Sequence, residues 1–334
     1  MKTLHQATKL ILLAALFLAL PVFGQGIDKI AQTGMKWLSI PVGARASALG
    51  SAYTAMASDA GAVFWNPAGL AQTEGRHVFL SQTQWLADIN VNAGVAAYHF
   101  GGLGTFGVHF QTVDWGTLHG TRFTGGAELF EETGTFSPDS WLLGVSYARR
   151  ISDKFSFGAN LRYIHENLST SLEGSFASPQ KFTAEMNLMA IDFGTIFYTG
   201  FKDFRIAMTI QNVSPEKEYR FESFPLPLSF RFGAAMDALR LFPSFADKDH
   251  VLTVSADALH PRDFSERLHF GLEYGFKKVI FLRGGYKTNY DEEDFTLGGG
   301  AHVNVGNMAV GLDYSYLAFK NFDAVHMFSF DFGF

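Results

Sequence analysis

Val325-His326-Met327-Phe328-Ser329-Phe330-Asp331-Phe332-Gly333-Phe334 closes the chain, and its residues alternate to the last position. His326, Phe328, Phe330, Phe332 and Phe334 share one face of a strand, and Val325, Met327, Ser329, Asp331 and Gly333 share the other. A strand that shows four phenyl rings on one side aggregates in water, so lipid or an assembly factor must receive this one. Phe328, Phe330, Phe332 and Phe334 are therefore read as a lipid face and as a barrel-assembly signal.

The same alternation runs back through the chain. Leu268, Phe270, Leu272, Tyr274 and Phe276 oppose His269, Gly271, Glu273 and Gly275. Leu228, Phe230, Phe232, Ala234 and Met236 oppose Ser229, Arg231, Gly233, Ala235 and Asp237. Glycine and charge share the second face, and Trp85, Tyr98, Trp141, Tyr147, Tyr163, Tyr274, Tyr286 and Tyr316 fall near segment ends, where membrane interfaces favour amphipathic rings. Fourteen segments are expected, starting near Phe79, Val91, Gly104, Trp141, Phe155, Glu185, Phe204, Pro227, Val251, Leu268, Val279, Phe295, Met308 and Ala324. The fold class is all-β, a transmembrane antiparallel barrel with an even strand number. Long connections follow the third, fifth and seventh strands, over Asp114 to Asp139, Ser169 to Lys181 and Asn212 to Pro225, and these are the expected recognition loops. The link from Ala238 to His250 is unexpectedly long for the short-turn side.

Composition agrees. Of 334 residues, 47% are hydrophobic and only 17% charged, against roughly 25% charged in an average soluble domain. Thirty-five phenylalanines accompany thirty-four glycines. The net charge of −6 and the lack of a basic stripe argue against nucleic acid, and the absence of cysteine removes disulfides and thiolate chemistry. Lys2 and Lys9 precede an apolar run from Leu10 to Leu20, a secretory signal peptide over residues 1–24 with cleavage after Gly24.

Residues 25–75 do not alternate, and 76–334 form the barrel. Ala44 to Ala60 is rich in small residues, with Leu49, Tyr53, Met56 and Ala60 at helical spacing, which predicts a short helical hatch inside a lumen too wide for side chains to fill. Trp65-Asn66-Pro67-Ala68-Gly69-Leu70 follows as a fixed elbow, with Arg45 and Asp59 as candidate buried partners. Arg45, Asp59, Trp65, Asn66, Pro67 and Gly69 make up the candidate gating motif.

These residues also carry a resemblance. Pro41-Val42-Gly43-Ala44-Arg45-Ala46, Leu49-Gly50-Ser51-Ala52-Tyr53 and Asp59 with the elbow resemble the opening of the PorV/PorQ family, related to the long-chain fatty-acid transporter FadL. The resemblance implies a FadL-like barrel of about 14 strands with an N-terminal hatch in the bacterial outer membrane. It also implies a role in type IX secretion, receiving secreted cargo and handing it to surface-attachment machinery. Secretion-system subunits, cargo proteins, outer-membrane lipid and the barrel insertion machinery are then the partners. The alternative is passive uptake of hydrophobic small molecules, and the motif does not separate PorV from PorQ.

No enzymatic chemistry or cofactor is expected. Gly102-x-Gly104-x-x-Gly107 matches a dinucleotide fingerprint as a string, but it precedes a strand, so Gly102, Gly104 and Gly107 are read as a possible strand kink. His165 and Glu166 are adjacent on a strand and point apart. Asp291-Glu292-Glu293-Asp294 is read as a solvated outer loop in preference to a calcium site, because it lacks the loop spacing such sites use.

Overall fold

The computed structural model describes residues 32–123, 129–175, 178–219, 222–241 and 249–334, so the signal peptide read over residues 1–24 lies outside the described residues. Fourteen antiparallel strands close into a barrel. They are β1 (Arg76–Gln84), β2 (Asn90–His99), β3 (Thr105–Asp114), β4 (Asp139–Ser152), β5 (Phe155–Ser175), β6 (Ser178–Tyr198) and β7 (Arg205–Val213), then β8 (Ser229–Asp237), β9 (His250–Pro261), β10 (Arg267–Phe276), β11 (Ile280–Lys287), β12 (Glu293–Val305), β13 (Met308–Phe319) and β14 (Val325–Gly333). Neighbours in sequence pair throughout, and β14 returns to β1 in register from His77↔Gly333 to Gln84↔His326. Closure leaves no unpaired edge, which the hydrocarbon core demands.

The faces are inverted relative to a soluble protein. Leu268 and Leu272 are exposed, whereas His269 and Glu273, each the next residue along, are only 1% and 6% exposed and face the lumen. On β14 the rings of Phe328, Phe330 and Phe334 are exposed and Ser329 is buried. Phe334 also closes the seam, because its N–H donates to the Arg76 carbonyl at 2.8 Å and its carbonyl accepts from Arg76 at 3.1 Å.

Two expectations need correction. The stretch read as a loop over Ser169 to Lys181 is largely ladder: β5 and β6 are 21 residues each and stay paired from Thr170↔Thr183 to Ser175↔Ser178. Outside lipid a hairpin needs no apolar alternation, so its polar composition conceals backbone pairing; the sixth strand accordingly begins at Ser178, before the expected Glu185. The loops expected over Asp114 to Asp139 and Asn212 to Pro225 likewise carry hairpins, Leu118–Phe123 with Phe130–Phe136 and Lys217–Tyr219 with Glu222–Phe224.

The second correction concerns the helix expected over Ala44 to Ala60. It is one helix, α1 (Ala44–Ala48), of five residues. Gly50 and Ser51 take φ of +62° and +65°, a left-handed pair that ends it. The wall caps both ends: Ser329 Oγ accepts from Ala44 N at 2.7 Å and Ser81 Oγ from Gly43 N at 3.2 Å, donors without an intrahelical partner at a helix start, and Thr296 Oγ1 accepts from Gly50 N at 2.9 Å just past its end. Leu49, Tyr53, Met56 and Ala60 are all buried, but against the barrel and each other.

Candidate functional site

Residues 32–75 run down the barrel lumen. Gly34 donates to the Pro225 carbonyl at 3.1 Å, and Thr33 Oγ1 and Lys36 Nζ reach Asp263 at 2.7 and 2.5 Å, so this end sits at the mouth that carries the long connections. The hatch ends at the opposite mouth, where Gly75 leads into β1. In outer-membrane barrels the mouth with the longer connections is extracellular.

The elbow is bolted to the wall. Asn66 is fully buried; its Nδ2 donates to the Thr54 carbonyl at 2.9 Å and to the Thr195 carbonyl of β6 at 3.2 Å, and its Oδ1 accepts from Ala68 N at 3.1 Å. Pro67 opens the 3₁₀ turn Pro67–Gln72, where its missing N–H costs nothing. Trp65 Nε1 donates to the Val42 carbonyl at 2.7 Å and its ring packs edge-on against Tyr53. Gly69 has the Ala57 backbone where a Cβ would sit. The wall answers with glycines of its own. An added Cβ on Gly158 of β5 would strike Pro67, on Gly194 of β6 would strike Asn66, and on Gly285 of β11 would strike Gly50. The inward glycines mark the footprint of the hatch.

An ion ladder crosses the lumen. Arg45 grips Glu273 of β10 with two bonds, Nε to Oε2 at 2.9 Å and Nη2 to Oε1 at 3.0 Å. Its Nη1 also reaches Asp59 at 3.3 Å, and Asp59 accepts from the Tyr53 hydroxyl. Glu273 accepts further from Arg283 Nε at 2.7 Å, Arg283 Nη1 donates to Asp313 at 2.5 Å, and His302 lies 3.1 Å from Asp313. Each charge is shared between two partners, the condition under which buried ions are tolerated. The structure thus brings Arg45 and Asp59 together, joins Trp65 to them through Tyr53, and seats Asn66 and Pro67 against β5 and β6. Glu273, Arg283, Asp313, Gly158 and Gly194 were not singled out from sequence, although each sits on the polar, inward face of an alternating segment.

Gly102, Gly104 and Gly107 do not kink the wall. Gly102 lies in the turn Gly101–Leu103, Gly104 takes φ of +100° beside the Ala148 carbonyl, and β3 pairs with β2 and β4 without a register shift. At Gly107 an added Cβ would lie 3.3 Å from Leu70 of the hatch, so the residue serves close packing, not bending. The acidic run is shared out: Glu293 pairs with Lys287, Asp294 with Lys320 at 3.3 Å, and Glu292 accepts from Asn321 at 2.9 Å. Among the described residues no cluster of three or more His, Asp or Glu side chains is placed to hold a metal.

Two cavities flank the hatch. The outer one, about 450 Å³, opens among Trp37, Trp85, Trp115, Arg231 and Arg267. The inner one, about 220 Å³, lies among Asp59, His77, His302 and Asp331. Val42 and Trp65 line both, so the bond between them belongs to the partition.

The family described as type IX secretion system protein PorV matches residues 25–242. Among solved structures, the chain is similar to a Pseudomonas aeruginosa FadL homologue, at 11% identity and TM-score 0.53 over 88% of this chain and 98% of that one. It is also similar to the Pseudomonas putida toluene transporter TodX, at 11% identity and TM-score 0.55 over 86% and 96%. At this identity the likeness concerns the fold, a FadL-like outer-membrane barrel. A search of curated proteins gives no match. With the family's match running from the hatch through the elbow and across the first eight strands, this chain belongs to the PorV family of type IX secretion system proteins.

Proposed function

We propose that this protein is a non-enzymatic outer-membrane component of type IX secretion that receives cargo at the cell surface and passes it to attachment machinery. The observation that carries the reading is the β5–β6 hairpin. About 9–11 tilted residues cross a bilayer, as β1 does with nine, yet β5 and β6 have 21 each. Their far halves form a paired ribbon beyond the outer rim, and a ribbon carried on a closed barrel suits recognition of another protein. A lumen filled by a bolted hatch and an unbroken wall at β3 fit a docking role better than a conduit. The test is deletion of residues 168–184 with a short turn in their place. Cargo should accumulate in the periplasm and secretion subunits should no longer co-purify, while the barrel remains folded. Normal secretion by that variant would refute the reading.

The outer cavity favours a second reading, passive uptake of hydrophobic solutes. Purified protein in liposomes would then accelerate solute entry, and a rate equal to that of empty liposomes would exclude it.

A further inference from the structure

We infer that the outer cavity is a binding site for an aromatic carboxylate, a role that does not rest on the cargo reading. The cavity holds about 450 Å³, within the range of roughly 300–1,000 Å³ typical of ligand pockets. Four of the five tryptophans in the chain line it: Trp37, Trp65, Trp85 and Trp115. Trp37 and Trp65 are buried, and Trp85 and Trp115 are half-buried. Flat indole faces favour a flat partner.

The charges specify the other half of the ligand. Lys36, Arg162 and Lys287 each have a carboxylate, in Asp263, Asp192 and Glu293. Arg231 and Arg267 have none within ion-pair distance among the described residues. Aromatic rings hold them instead. Arg231 lies over Trp65 at 5.1 Å, and Arg267 lies over Tyr290 at 3.9 Å and Phe264 at 4.2 Å. Arg231 Nη1 also donates to the Ser51 carbonyl at 3.5 Å; a stacked guanidinium keeps its remaining N–H groups available, and that planar fork matches a carboxylate. Among the described residues that line the cavity, the Nε atoms of both arginines and Nε2 of Gln111 are buried donors without an acceptor, against one unpartnered carboxylate oxygen, Oδ1 of Asp263. A wall with surplus donors and surplus positive charge selects an acceptor-rich anion. Rings for the body and guanidinium edges for the head together describe an arylcarboxylate.

Intrinsic tryptophan fluorescence of the full mature protein in lipid nanodiscs tests this without any secretion assay. The probes are naphthalene-2-carboxylate, its neutral carboxamide and octanoate. The carboxylate should quench saturably, and the carboxamide and octanoate should each bind at least tenfold more weakly. Arg231→Gln and Arg267→Gln should each weaken the carboxylate at least tenfold and leave the carboxamide unchanged, and Arg231→Lys should recover part of the loss. Heat-modifiable gel migration confirms that each variant is folded. Equal binding of carboxylate and carboxamide, or full binding by both folded glutamine variants, would overturn the site. Octanoate binding as tightly as the naphthoate would overturn its aromatic selectivity.

Discussion

Arg45→Met tests whether the ion ladder holds the hatch in place. The substitution keeps the apolar stem and removes the guanidinium, leaving Glu273 without its two-bond partner and Asp59 without its cation. Removing one member of a buried ion pair costs about 3–5 kcal/mol when the other charge is stranded. Here neither is stranded, because Glu273 keeps Arg283 at 2.7 Å and Asp59 keeps the Tyr53 hydroxyl, and Arg45 is itself 19% exposed. A loss of about 2.5 kcal/mol is therefore expected, which corresponds to a roughly 60-fold rise in the open population of the hatch. The loss falls on local opening, since among the described residues Arg45 bonds to no residue in the barrel other than Glu273. Hydrogen exchange followed by mass spectrometry reads it directly: amides of residues 44–58 should lose about 60-fold in protection, while β1 to β4 stay unchanged. Glu273→Gln supplies the second edge of a double-mutant cycle, and the double variant should cost about 1.5 kcal/mol less than the sum of the singles. Strictly additive effects, or hatch exchange unchanged in Arg45→Met, would refute the argument that this pair secures the hatch.

Phe334→Asp should lower the amount of folded barrel in outer membranes severalfold and leave export across the inner membrane intact, as measured by heat-modifiable migration after fractionation; equal folded levels would exclude an assembly role for the terminal ring. Gly285→Val should unseat the hatch near Gly50, where the new Cβ would overlap the backbone, and raise exchange at residues 48–52 by at least tenfold. The topology of the hatch can be checked by labelling, because the native chain has no cysteine. Gln32→Cys should react with a membrane-impermeant maleimide on intact cells, whereas Asn307→Cys should react only after the outer membrane is permeabilised; the reverse order would invert the assigned orientation.

The amino-acid sequence by itself determined the barrel. Period-2 alternation with inverted faces needs only adjacent residues to be read, and strands facing lipid on one side and lumen on the other impose it at every position. Strand number and the terminal aromatic face on β14 were therefore legible one segment at a time. What only the tertiary structure decided is how hatch and wall meet. Nothing near Arg45 announces Glu273, 228 positions away, and nothing near Asn66 announces Thr195 or Gly194. Helical spacing in residues 44–60 was genuine as a pattern of burial, yet α1 stopped after one turn at the left-handed pair Gly50 and Ser51, where Thr296 of the wall bonds the backbone. Ladder pairing beyond the membrane was equally hidden, because polar residues 169–181 follow no apolar rule once they leave lipid. Local periodicity reports which solvent a side chain faces, whereas the partner it finds across the lumen depends on closing the barrel around the hatch.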